Sequence, residues 1–127
     1  MSSNKIIAIL AVVLVIVAIP FFLLRSRPKL PDDKVTRVAI SSMKSDLQGL
    51  IAAEELTRRI RGHYEIDPAS AGHLSSPGVT PPVIVLADTG WSATVGFKTI
   101  PEIRCAVGVY KRNPLKRSAK SGEIVCE

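Results

Sequence analysis

IIAILAVVLVIVAIPFFLL, residues 6–24, is a run of nineteen uncharged apolar positions interrupted only by Pro20. As a helix rising about 1.5 Å per residue it spans roughly 28 Å, close to the ~30 Å hydrocarbon core of a bilayer. A helix buried in the core of a 127-residue chain needs a polar face, and this one has none. The run therefore predicts a single-pass membrane anchor, or an apolar helix stored inside an assembly. A cleaved secretory signal is shorter and ends in small residues, whereas this run ends in Phe21, Phe22, Leu23, Leu24 and Arg25. Pro20 lacks an amide hydrogen, which predicts a kink where the helical bond to the carbonyl near Ile16 is lost.

The flanks and the cysteines give opposite orientations. Lys5 stands before the run, and Arg25, Arg27, Lys29, Lys34 and Arg37 follow it. Positive flanks stay cytoplasmic, which argues for a cytoplasmic C-terminal region. Cys105 and Cys126 argue the reverse, being the only two cysteines. A disulfide tying the last strand to an inner one suits a small domain outside the cytosol. Closing such a loop stabilises by about 3 kcal/mol in the chain-entropy view. The alternative is two unpaired buried thiols. His63 and His73 show no ligand spacing to either cysteine, so no metal site is expected.

Beyond the anchor and its basic flank (1–29), enough chain remains for one small domain. The boundary is RSRPKLPDD at 25–33, where Pro28 and Pro31 resist helix continuation. Asp32 is expected to cap a second, amphipathic helix within 30–64. Val35, Ala39, Met43, Leu47 and Leu50 step along one stripe that Ile40 and Ile51 widen, and packing of this stripe as core is expected. Glu54–Arg58 and Glu55–Arg59 are favourable i,i+4 pairs on a solvated face. Gly62 ends the helix. Gly49, in its interior, costs about 1 kcal/mol relative to Ala and is read as a place of close contact.

The remainder, 65–127, is a Pro- and Gly-rich loop (65–82) followed by strands. Val83–Leu86 is a short apolar run before the turn Asp88-Thr89-Gly90. Trp91, Ala93, Val95 and Phe97 alternate with Ser92, Thr94, Gly96 and Lys98, which predicts a strand buried on one face. A turn around Pro101 (Thr99–Glu102), a third alternating set (Ile103, Cys105, Val107, Val109) and a last strand at Gly122–Cys126 follow. The fold class is α+β, with the amphipathic helix packed on a three- to four-stranded antiparallel meander.

The net charge of +6 is uneven. It concentrates after the apolar run and in KRNPLKRSAK (111–120), where Lys111, Arg112, Lys116, Arg117 and Lys120 stand with no acid. Lying between the cysteines, this run is expected as an exposed loop held at its base. Such a cluster is a candidate contact for DNA or for anionic lipid. Nothing points to an enzyme or a cofactor: nucleophile elbow, phosphate-cradling glycine loop and metal-ligand cluster are all missing. Glu54 and Glu55 are adjacent and point to different helix sides, so they cannot face each other across a cleft. Trp91 and Tyr110 fit sheet packing and surface better than a stacking platform.

An apolar N-terminal helix with a proline near its end, an amphipathic helix, an antiparallel sheet and a Cys-closed C-terminal loop together resemble the type IV pilins and pseudopilins. AIPFFLL (18–24), MKSDLQGLIAAEE (43–55), Gly62-His63-Tyr64, GWSAT (90–94) and GEIVCE (122–127) resemble strings found in that order in the family. The resemblance implies a membrane-anchored structural subunit of a pilus-like or pseudopilus filament, assembling through its apolar helix. Its partners would be copies of itself or related pilin subunits, the inner membrane and an assembly machinery. Its location would be the bacterial inner membrane with the C-terminal domain outside the cytoplasm, and the cell surface once assembled. The alternatives are a DNA- or surface-binding minor pilin using 111–120, or a membrane-tethered accessory domain that does not assemble. The chain departs from the family at MSSNK (1–5), with no glycine before Gly49 and no acid before Asp32. The prepilin peptidase site and the family's N-terminal glutamate thus lack counterparts, implying a retained N terminus or a divergent or minor subunit. Pro28 and Pro31 also argue against one continuous helix from 6 to 61.

Overall fold

The computed structural model describes residues 33–127. The expected anchor at 6–24, its kink at Pro20 and the basic flank to residue 29 lie outside the described residues. Among the described residues, no helix is long and apolar enough to cross a membrane. Helix α1 (Lys34–Arg61) is followed by strands β1 (Val83–Leu86), β2 (Trp91–Phe97), β3 (Ile100–Val109) and β4 (Ile124–Cys126). The strands form one antiparallel sheet in the order β1-β2-β3-β4. The expected α+β meander is therefore present with four strands.

Asp33, not Asp32, caps the helix: its backbone is extended and its side chain accepts the Thr36 N–H at 2.7 Å. That bonding holds the Asp33 carboxyl below its ordinary range. Gly62 ends the helix at φ 82°, a left-handed conformation that favours glycine, and its N–H donates to the Arg58 carbonyl. The helix therefore stops at Arg61, as expected.

Ala39, Met43, Leu47 and Leu50 are fully buried, but Val35 is 62 % exposed. Each four-residue step rotates about 40° on a helix of 3.6 residues per turn, so two steps back from Met43 leave the buried stripe. Thr36 occupies that place instead and is buried. Across the interface the core takes Ile84 from β1, Trp91, Ala93 and Val95 from β2, and Ile103, Cys105 and Val107 from β3. Ile40 and Ile51 pack partly buried against it. Gly49 is not a place of tight approach, because a Cβ there would sit 4.0 Å from His73 Nδ1, an ordinary contact distance.

The long connection after α1 is loop, as expected, and it is pinned to the helix. Buried Asp46 accepts hydrogen bonds from the Ser76 N–H, at 2.7 Å, and from the Ser76 hydroxyl. The β2–β3 turn differs from expectation. Phe97 pairs with Ile100, so Lys98 and Thr99 turn the chain and Pro101 lies inside β3. The register shifts between Gly96 and Phe97, and an irregular stretch of ladder tolerates a residue with no N–H to give. β4 starts at Ile124, two residues later than the expected Gly122.

Glu54 is the largest correction on the helix. It makes no pair with Arg58; the carboxylate is fully buried, accepting the Glu65 N–H at 3.0 Å through Oε2. Arg58 turns to Glu55 at 2.9 Å, and Arg59 joins the same carboxylate at 3.2 Å. Glu54 lies on the stripe that also carries Met43 and Leu50, and Oε1 has no partner among the described residues. Burial pushes the Glu54 carboxyl above its ordinary value, the Glu65 N–H opposes this, and the Glu65 charge adds to it.

A group that holds its proton more tightly when folded stabilises fully below its ordinary value, here 4.5, and loses that contribution as the pH rises. Glu54→Gln is therefore expected to match the parent protein near pH 4 and to exceed its stability by about 1–3 kcal/mol at pH 7, the cost of an incompletely bonded buried charge. Urea unfolding at both pH values measures this, and an equal difference at the two would refute it.

Candidate anion-binding loop

Residues 110–123 build the most distinctive surface of the domain, and the build starts at Gly108. A Cβ at Gly108 would lie 2.1 Å from the Lys111 carbonyl oxygen and 2.8 Å from the Arg112 carbonyl carbon and the Asn113 nitrogen. The chain leaving β3 therefore folds straight back over the strand. Tyr110 makes the bend at φ 52°, the one non-glycine residue with positive φ among those described. Ser92, the cross-strand partner of Gly108, is buried. The simple alternation expected for β2 fails there because the returning loop covers the sheet's second face.

Asn113 fixes the fold-back. It is 3 % exposed, and its amide nitrogen donates to the carbonyls of Ala106 (2.9 Å) and Glu123 (3.2 Å). Its side-chain oxygen accepts the N–H groups of Leu115 (2.8 Å) and Lys116 (3.3 Å). One buried amide thus ties β3, the return to β4 and the loop's own turn. At the root, the Tyr110 N–H donates to Ser121 Oγ and the Gly122 N–H to the Gly108 carbonyl.

Cys105 and Cys126 are joined by a disulfide and are direct cross-strand partners of β3 and β4. The bridge lies further down the ladder than expected. The immediate base of the loop is the hydrogen-bonded closure at Gly108 and Tyr110.

Arg112, Lys116, Arg117 and Lys120 are exposed and Lys111 is half-buried. None of the five makes an ion pair with a described residue. Tyr110 is 72 % exposed at the loop root, while Trp91 is fully buried against Tyr64, ring centroids 6.3 Å apart. Arg58 lies within electrostatic reach of both Tyr64 and Tyr110. Beside it, an open cleft of about 400 Å³ runs between the helix end and the β1–β2 turn, lined by Arg58, His63, Tyr64 and Asp88.

The structure thus brings the five cations onto one anchored loop. The pattern of residues had not pointed to Asn113 as organiser or to Gly108 as floor. The Asn113-Pro114 pair was the available signal, since Asn-Pro marks a turn. Among the described residues, no group of three His, Cys, Asp or Glu is placed to hold a metal ion. No family model, curated protein or solved structure matches the chain.

Proposed function

We propose that this chain is a membrane-anchored structural subunit of a type IV pilin-like or pseudopilus filament. The observation that carries the proposal is the order of parts. An apolar run long enough for a bilayer precedes a 28-residue helix laid on a four-stranded meander, and a disulfide joins the last two strands.

The free side of the helix supports this reading. Val38, Ser42, Ser45, Gly49, Ala52, Leu56 and Ile60 follow one another down a flank without a single charge. Arg37, Lys44 and Glu55 lie about 100–120° round the helix from that line, as helical spacing dictates, and Arg59 stands at its border. Val38, Leu56 and Ile60 are 55–74 % exposed. Small residues between apolar ends let another helix approach closely, and the apolar run needs lipid or protein around it on all sides.

Two measurements test the proposal. Shearing cells that express the chain is expected to release it in fibres, and N-terminal sequencing of that material reports any processing. Ala52→Glu, on the uncharged flank, is expected to reduce fibre yield at least tenfold without changing the amount of folded protein. Alkylation of the native protein is expected to label the cysteines only after reduction. A chain that stays unassembled in the membrane fraction, with free thiols, would instead be a tethered cytoplasmic accessory domain.

A further inference from the structure

We infer that Arg37, Ser41, Lys44 and Gln48 on helix α1 form a seat for the phosphodiester headgroup of an anionic phospholipid, with the first half of the helix reclining on the membrane that holds the chain. The inference rests on the anchored part of the reading proposed above, not on the filament. Helical spacing puts these four residues within about 60° of one another, and all four are exposed. Arg37 and Lys44 stand two turns apart, about 10.5 Å along the axis. An open groove of about 480 Å³ follows them, with Ile40 and Ser45 completing its lining. Two cations, two hydroxyls and an amide line it, all able to donate, and no carboxylate does. That donor set fits the oxygens of a phosphodiester, which only accept.

Charge balance points the same way. Residues 25–48 carry six cations (Arg25, Arg27, Lys29, Lys34, Arg37, Lys44) against three acids (Asp32, Asp33, Asp46). Two of the acids are occupied elsewhere: Asp33 accepts the Thr36 N–H, and Asp46 is buried against Ser76. Neither Lys34 nor Lys44 makes an ion pair with a described residue. The next acids along the helix are Glu54, which is buried, and Glu55, which Arg58 and Arg59 hold.

Place then selects the occupant. Nine residues separate Leu24, the end of the apolar run, from Lys34. A tether that short keeps the stripe at high local concentration beside the headgroups. Upright, the helix would lift Lys44 about 15 Å above Lys34, beyond a screening length of roughly 8 Å. Contact at Lys44 therefore means that the helix reclines, a course left open by the expectation that Pro28 and Pro31 interrupt any single rod from 6 to 61. The basic loop is no part of this seat. Tyr110 sits near Arg58, which lies about 21 Å further along the helix than Lys44.

The test uses the full chain in nanodiscs of phosphatidylcholine, with and without phosphatidylglycerol, and labels lysines with an acetylating reagent read by mass spectrometry. A cation near an anionic surface gains about fivefold in occupancy, so Lys44 is expected to acetylate about five times more slowly in the anionic discs. Lys98, Lys116 and Lys120 are expected to keep their rates. In uncharged detergent micelles doped with phosphatidylglycerol, Arg37→Gln/Lys44→Gln should lower the lipid phosphorus retained per chain at least about tenfold. Changing Lys111, Arg112, Lys116, Arg117 and Lys120 to Gln should leave it as it is. Unchanged Trp91 emission establishes that the variants are folded.

Equal Lys44 rates in the two discs overturn the inference. So does lipid phosphorus that survives the double change, or that is lost only with the loop change. Alkaline carbonate separates this failure from that of the reading beneath it. A chain washed off vesicles overturns the anchor and the seat together, whereas a chain that stays while Lys44 ignores the headgroup overturns the seat alone. A lipid-protected Lys44 in a chain absent from sheared fibres would refute the filament and leave the seat standing.

Discussion

Alanine at Gly108 is expected to lower stability by about 3 kcal/mol or more and to lift the basic loop off the sheet. The added Cβ would meet the Lys111 carbonyl oxygen at 2.1 Å, with two further backbone atoms at 2.8 Å. Backbone cannot rotate aside as a flexible side chain does. Overpacking alone typically costs about 1–3 kcal/mol. Moving the loop also breaks the Gly122–Gly108 closure and the bonds of Asn113, whose buried amide would lose its partners. Urea unfolding followed through Trp91, the only tryptophan, measures the loss. Trypsin should also cut the variant faster after Lys111, Arg112, Lys116 and Arg117. An unchanged midpoint together with unchanged cleavage would show that the fold-back over Gly108 is not a constraint.

Removing the disulfide ranks second. The double variant Cys105→Ala/Cys126→Ala is expected to lose about 3 kcal/mol, the loop-closure entropy for a separation of 21 residues. Cys105 is fully buried, and its contacts in the core add to the loss. In a domain of this size such a loss is a large share of total stability. Dithiothreitol should shift the parent protein's urea midpoint by a similar amount and leave the double variant where it is. Equal midpoints for the parent with and without reductant would count against a stabilising bridge. The β3–β4 pairing would then stand on its backbone bonds alone.

Much of the architecture was legible because local periodicity carried it. The four-residue steps from Ala39 to Leu47, the alternation from Trp91 to Phe97 and the left-handed stop at Gly62 each report on their own neighbourhood. The misses share one cause, which is that they depend on what a distant segment covers. Glu54 sits at core spacing but looks like half of an ion pair, and only the returning Glu65 N–H makes its burial tolerable. Ser92 looks solvent-facing until residues 111–113 fold over the strand beside it. Pro101 reads as a turn residue, while the ladder's irregularity places the turn at Lys98-Thr99. For the candidate site, the charges were plain in the chain, and the scaffold holding them was not. Asn113 acts through groups seven and ten residues away, a span that no local pattern reports.

The sheet's borders bear on how copies of this molecule can meet. Its outermost members are only four and three residues long. So little unpaired main chain gives an intruding strand almost nothing to zip against, a common protection from sideways fusion and cross-β stacking. A protein kept at high local density can therefore crowd against its neighbours through side chains, with each sheet remaining its own.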